Sequence, residues 1–426
     1  MSNSSTDWAN LDSQNEKVVG APAPQDRLAP VPVQVPVPAS GSGSESGSKP
    51  DAAAARPQGR HHRSPRAAAA TAAAAAIAAA TACALAVPVS ASAAHVQPAA
   101  AASWKIIKTV HHSSGPNFTA VTATGRASAW AFETFQASSA KPVAWQLSRS
   151  GWRTAPFAGK AGERVTAAGS SAGSDVWAIT SNGTTSRALN WNGSSWAVTG
   201  KIHADIDAVT VLSSHDVWAF GSPFFPGAGG SWHFNGHSWS HISSGHGLTA
   251  GSALPRGDVW AVGGTSVARW NGHTWSRTSV AGLLPADTGL SHSSLVGVYA
   301  QSASSIWALG TGGRQDEGGP TVLLHYNGHV WKHVASLLTG NPSQVIPDGS
   351  GGLWIPVPSV DGIPFQLLRY SSGHLAPVKL PVSGRKLNVV ALAAIPHTAE
   401  AFGAGFTHKA NDLGFGVVGA ILEYER

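Results

Sequence analysis

A chain of 426 residues with one cysteine, Cys83, has no disulfide framework, so its fold must be held by packing. From Ser103 onward, 21 Lys and Arg stand against 16 Asp and Glu. They form no run, which argues against a nucleic-acid partner and leaves only an unspecific pull toward anionic polymers. Sixteen of the 17 tryptophans lie at or after Trp104, so the part able to build a core begins there.

Residues 1–66 read as a disordered tail. Residues 20–50 are rich in Pro, Ala, Gly and Ser and lack the aromatic residues that would offset the entropy of ordering. The tail ends in a basic stretch, RPQGRHHRSPR (56–66). Residues 67–93 follow as an alanine-rich apolar run, AAAATAAAAAIAAATACALAV (67–87), then Pro88 and the small-residue site Ala91-Ser92-Ala93. That layout predicts an export signal. The alternative is a retained single span over 67–87 with the rest of the chain outside, since 21 residues reach across a bilayer and the basic flank precedes them. Alanine is only marginally apolar, which favours release. Residues 94–102 are a linker, and 103–426 are the folded body.

The folded body repeats one phrase. Residues 258–275, DVWAVGGTSVARWNGHTW, combine an apolar strand with an aromatic-Asn-Gly hairpin ending on tryptophan. The "VWA" aromatic recurs at Trp130, Trp177, Trp218, Trp260, Trp307, Trp354 and Phe402, spaced 47, 41, 42, 47, 47 and 48 residues apart. Short strands at such a period predict an all-β, seven-bladed β-propeller of four-stranded blades. A second series follows at Trp152, Trp196, Trp239, Trp275 and Trp331, with Leu375 in the sixth unit. Inner strands such as AVTAT and VVALA are small and β-branched, as crowding around a central channel requires. Asn-Gly at 192–193, 235–236, 271–272 and 327–328, and Ser-Gly at 372–373, read as two-residue type I′ turns. The seventh unit stops one strand short, while SWKIIKTV (103–110) resembles a fourth strand. The ring is therefore expected to close by pairing 103–110 with the C-terminal blade, which removes exposed sheet edges.

Gly263-Gly264 with Trp270 and Trp275 resembles the kelch and galactose-oxidase-like propellers. The "VWAV" strand at 259–262 is also similar to the tectonin-type lectin propellers. Both resemblances imply the propeller fold over residues 104–426, and neither carries over a catalytic residue or a ligand.

Repetition argues for structural roles. The repeated tryptophans are expected between blades. Asp175, Asp216 and Asp258, just before the "VW" strand, are expected to cap turns through backbone N–H groups. His237, His273, His329 and His374 sit on hairpins in different blades, too far apart to share one metal ion at a bond length of ~2 Å. Trp145 and Trp232, outside both series, are better ligand candidates. Function is expected where loops vary, at 222–230, 277–293, 312–320, 358–364 and 407–414, which all open on one face. The residues singled out there are Phe224, Phe225, Arg314, Asp316, Glu317, Asp361, His408, Lys409 and Asp412 as ligand contacts, with no catalytic, metal or cofactor residue assigned. The sequence thus points to a monomeric, exported, non-catalytic binding or scaffold module for an extracellular protein or glycan. The alternatives are a carbohydrate-active hydrolase or lyase using Asp316, Asp361 or Asp412 at the propeller mouth, or a tectonin-like lectin with equivalent pockets in several blades.

Overall fold

The computed structural model describes residues 102–425, apart from 114, 136, 138, 222–229, 244–246, 288–291, 313–318, 359–363, 382–383 and 410–415. The readings of residues 1–101 lie outside the described residues. Seven four-stranded antiparallel sheets follow one another along the chain, six of them meanders in which consecutive strands pair and the seventh completed by the first strand. They are the blades of a seven-bladed propeller: 116–155, 164–202, 206–242, 250–279, 294–338, 346–377, and 386–425 completed by 103–111. The non-strand element among the described residues is a 3-10 turn, Ala281–Leu283.

Ring closure follows the expectation. The closing strand Ser103–His111 pairs antiparallel with Val418–Glu425, from Ser103 opposite Glu425 to His111 opposite Val418, with a bulge between Ile106 and Lys108. The first and last strands are therefore neighbours in one blade. A salt bridge from Lys105 to Glu425 (2.5 Å) adds little, because both side chains are about half exposed.

The two tryptophan series interlock between blades. Trp130 of blade 1 packs on Trp191 and Trp196 of blade 2, at centroid distances of 5.0 and 5.2 Å. Trp177 meets Phe234 and Trp239, and Trp218 meets Trp270 and Trp275. Trp260 meets Tyr326 and Trp331; Trp307 meets Tyr370. Trp354 lies 4.9 Å from Tyr424 and 5.5 Å from Trp104, and Phe402 lies 5.7 Å from Trp152 of blade 1. Each second-strand aromatic thus plugs the outer hairpin of the next blade. In the ring-closing blade, Trp104 supplies the indole that other blades carry on their own fourth strand.

Above the plug sits a polar residue, opposite it on the third strand: Asn190 across from Trp177, His233 from Trp218, Arg269 from Trp260 and Arg369 from Trp354. This register corrects the reading of the aspartates. Asp175 accepts from Trp177 Nε1 and Asn190 Nδ2, both at 2.9 Å. Asp216 Oδ1 lies 2.9 Å from His233 Nε2, whose ring stacks 4.4 Å from Trp218. Asp258 accepts from Arg269 at 2.8 Å. The acids anchor side chains that cover the tryptophans, and need not hold their own turn.

The Asn-Gly hairpins also differ from type I′. Gly193, Gly236, Gly272 and Gly328 have φ between 91° and 95°, while positive φ outside glycine is confined to Ser372 and His397 among the described residues. Asparagine instead folds the loop with its side chain: Asn271 Oδ1 accepts from His273 N (2.9 Å) and Thr274 N (2.7 Å), and Asn192, Asn235 and Asn327 repeat the pattern. Ser372-Gly373, with φ of 50° and 82°, is the pair that adopts the two-residue positive-φ turn.

Candidate functional site

In this topology the first-to-second and third-to-fourth turns lie on one face, and the second-to-third and fourth-to-first connections lie on the other. Of the nine contact candidates, Phe224, Phe225, Arg314, Asp316, Glu317, Asp361 and Asp412 lie outside the described residues. His408 ends the second strand of blade 7, opposite Lys386, and its Nδ1 lies 3.1 Å from Lys409 O. Lys409 is exposed beside it. Arg385, which sequence reading did not single out, donates from Nε to Thr407 Oγ1 at 3.0 Å. The structure thus brings His408, Lys409, Arg385 and Lys386 to one basic corner of the variable face. The signal was present as the pair Arg385-Lys386 beginning an inner strand, but their juxtaposition with His408 depends on register.

Trp145 and Trp232, the extra tryptophans, are half-buried and packed. Trp145 Nε1 donates to Glu133 Oε2 at 2.8 Å and Lys108 lies over its ring. Trp232 lies against His241. Glu133 is 2% exposed. Burial pushes its carboxyl pKa up, and the Trp145 bond and the charge of His112 offset this only in part.

Other carboxylates serve the ring. Burial would raise the Asp348 carboxyl, but bonds from Ser350 and Gly352 N–H and from Arg369 outweigh it and hold the pKa below the usual range. Glu163 follows the same balance, with Arg187 as its main partner. Asp205, 2% exposed, pairs with Arg164 at 2.8 Å.

The central channel is a cavity of about 300 Å³ walled by first strands, with Thr119, Thr166, Asp207, Ser343 and Gln344 as its polar residues. Much of that polarity is spent joining blades: Thr119 Oγ1 donates to Val165 O, Thr166 Oγ1 to Ile206 O, and Gln344 bonds both backbone groups of Leu392.

Larger hollows lie at the rim, between blades. A cleft of about 750 Å³ between blades 4 and 5 is floored by Trp260 and carries Arg256, Asp258 and Arg269. An adjoining hollow of about 580 Å³ shares Trp260, Thr278 and Tyr326 and reaches Trp331. Between blades 6 and 7, a cleft of about 430 Å³ is lined by Trp354, Arg369, Lys379, Tyr424 and Trp104. Sequence reading missed both, because each draws its wall from two blades. Among the described residues, no three His, Cys, Asp or Glu side chains gather as a metal-ligand group.

No protein-family model and no curated protein sequence matches the chain. Solved structures match its fold. The structure of U3-55K is 13% identical with a TM-score of 0.52, over 76% of this chain and 98% of that one. The WD40 repeats of RRP9 are 12% identical with a TM-score of 0.51, over 76% and 97%. The extracellular domain of a hybrid two-component system from B. thetaiotaomicron is 10% identical with a TM-score of 0.51, over 75% of this chain and 39% of that one. At these identities the likeness is one of fold alone.

Proposed function

We propose that the chain is an exported, monomeric, non-catalytic binding or scaffold propeller that recognises an extracellular protein or glycan through its variable face. One observation carries this reading. The buried carboxylates Asp175, Asp205 and Asp348 hold tryptophan covers and blade seams, whereas the connections that differ between blades open on a single face bearing the basic corner His408, Lys409, Arg385 and Lys386. Phe224, Phe225, Arg314, Asp316, Glu317, Asp361 and Asp412 belong to the same contact surface. Export through residues 67–93, with a retained span over 67–87 as the alternative, fits a propeller that needs no thiol chemistry. One structural neighbour is itself an extracellular domain. A kelch or galactose-oxidase-like origin is the finer part of the proposal and rests on Gly263-Gly264, Trp270 and Trp275.

The test pairs two measurements. Fractionation of the tagged full chain should find the propeller outside the membrane, with a new N-terminus after Ala93 if the signal is removed. A ring whose loops 222–230, 312–320, 358–364 and 407–414 are cut to minimal turns should melt like the parent and no longer bind the cell-envelope fraction. Unchanged binding by the trimmed ring would overturn the assignment of the face. Cleavage of an envelope polysaccharide by the parent, lost on Asp316→Asn or Asp412→Asn, would make it an enzyme.

A further inference from the structure

The seventh blade is unlike the others at its variable-face end. On that face the first and third strands of every blade begin, and the second and fourth end. In blade 5 the residues there are Ser294, Thr311, Pro320 and Leu338, all uncharged. In blade 4 they are Ala250, Gly263, Ser266 and Ser279, again uncharged. Blade 2 carries Arg164 and Arg187 near this end, but Asp205 and Glu163 neutralise them. In blade 7 the corresponding residues are Lys386, His408 and Val418, with His111 ending the closing strand. Arg385 precedes the first strand, and Lys409 and His112 follow the second and the closing one.

Pairing lays these groups in a row. Lys386 stands opposite His408, Thr407 opposite Val418, and Val418 opposite His111. Four strands spaced ~4.8 Å apart make the row about 14 Å long. No carboxylate stands at this end of blade 7 among the described residues. The blade's glutamates lie toward its other end, where Glu425 pairs with Lys105 (2.5 Å) and Glu400 with Arg126 (2.6 Å). Arg385, Lys386 and Lys409 take part in no ion pair among the described residues.

Arg385 is a fixed cation. Its Nε donates to Thr407 Oγ1 (3.0 Å), and its Nη2 donates to Thr407 O (3.2 Å) and Gly416 O. All three acceptors are neutral, so they hold the guanidinium in place and leave its charge uncancelled. A guanidinium has five N–H donors, so the two on Nη1 are what it can offer a ligand. Nε and Nη2 form the fork that grips a carboxylate in its plane, and here that fork is occupied. The donors left, Nη1 and two lysine ammonium groups, are separate points. A phosphate spreads its charge over diverging oxygens that can meet separate donors, and lysine binds it as a point charge. The row therefore favours phosphate over carboxylate.

We infer that the variable-face end of blade 7 binds a phosphodiester-bearing glycan polymer, with Arg385, Lys386 and Lys409 as its phosphate contacts and His111, His112 and His408 bordering them. This rests on the reading of the variable face as the binding surface and names the chemistry of what it binds. A linear polymer suits a row, since successive phosphates can meet successive cations. A second contact made within one chain raises avidity by about 10²–10⁴. A protein partner calls for large apolar anchors, and the exposed side chains of this row are all polar.

Titration calorimetry of the full chain with a synthetic glycerol phosphate oligomer tests this. The oligomer should bind at least about 10²-fold more tightly than glycerol phosphate itself, and more weakly as salt screens the exposed charges. Polygalacturonate, which carries carboxylates instead, should bind at least about tenfold more weakly. Lys386→Gln with Lys409→Gln alters two exposed residues and should leave the melting temperature unchanged while weakening the oligomer about tenfold. Arg385→Gln should weaken it at least as much; the lysine pair keeps the test decisive if that variant melts early. Lys201→Gln with Lys332→Gln removes the same charge from other blades and should bind like the parent. The inference is overturned if the parent fails to bind the oligomer, if polygalacturonate binds equally, or if the Lys386/Lys409 variant binds like the parent. Equally tight binding to anionic phospholipid vesicles would make the partner a membrane surface and overturn the glycan assignment. Envelope binding that is lost on loop trimming but kept by the Lys386/Lys409 variant would overturn this inference alone, whereas envelope binding by the trimmed ring would overturn the face itself.

Discussion

The closing strand offers the sharpest test of how this ring is held. Trp104 is 3% exposed, with Trp354 and Tyr424 each 5.5 Å away and Leu422 and Val389 in the same cluster. Truncation to alanine should cost about 3–5 kcal/mol, as for other buried tryptophans. Trp152 sits in the equivalent place in blade 1 and should cost a similar amount, slightly less at 9% exposure. The two variants should differ in how the loss is distributed. The strand bearing Trp152 is joined to the chain on both sides within the ring, whereas the folded ring continues from Ser103–His111 at one end only. Hydrogen exchange in Trp104→Ala should therefore lose protection first along 103–111 and its partner 418–425, with blades 2 to 5 unchanged. Deleting 103–111 removes the tryptophan and the whole ladder from Ser103 to His111. At a net ~0.5–1.5 kcal/mol per bond the ladder adds several kcal/mol, so the sum approaches the ~5–15 kcal/mol that holds a typical domain. The deletion should leave no cooperative transition in denaturant, and should expose the Val418–Glu425 edge to aggregation. A truncated protein with the parent's denaturation midpoint would refute the clasp, as would unchanged protection of 103–111 in Trp104→Ala.

Further tests address the polar scaffold and the inner strands. Arg369→Met leaves the fully buried Asp348 carboxylate with only the Ser350 hydroxyl and the Ser350 and Gly352 N–H groups as donors, at a cost of about 1.5–3 kcal/mol by denaturant midpoint, and Asp348→Asn in that background should restore most of it. The lowered pKa values of Asp348 and Glu163 mean that their contribution is complete above the unfolded values of ~3.9 and ~4.3. It should fade as pH falls through the folded ones, so Arg187→Met should flatten the acid limb of the stability curve. Glu133 has the opposite sign: with its folded pKa raised, its contribution is present below ~4.3 and is lost as pH rises through the folded value. Glu133→Gln should stabilise at pH 7 by about 1–3 kcal/mol, the cost of an unsatisfied buried group, and the gain should vanish near pH 4; no gain at pH 7 would contradict the burial argument. Gly251→Ala places a Cβ 2.2 Å from the Phe220 ring and should cost about 1–3 kcal/mol, whereas Gly282→Ala meets nothing and should be near neutral.

Periodicity made the ring legible before any coordinates. A residue such as Trp218 announces its place because six others share its setting, and the displaced Trp104 could be matched to them by its neighbours alone. Cross-strand pairing was not legible. Asp216 was read as a turn cap because the sequence shows its turn and hides His233, 17 residues away yet 2.9 Å distant. Asn271 was read as a positive-φ residue because Asn-Gly serves two kinds of turn, and the extra two residues before Trp275 select the side-chain-closed one. Of the contact candidates, His408 and Lys409 fall where the structure speaks, and it adds Arg385 and Lys386 to them.

Repetition identifies this fold but is a poor guide to function within it. A position filled alike in seven blades answers a demand that all seven share, here the plugging of one blade by the next. Information about a ligand must reside where that demand is met differently. Variable loops satisfy this criterion, but so do substitutions inside the repeat: Arg269 and Arg369 stand where the other blades have neutral or acidic residues, in a cover that needs only to be polar. An arginine is not required for packing, since Trp130 and Trp177 are covered by Gln146 and Asn190.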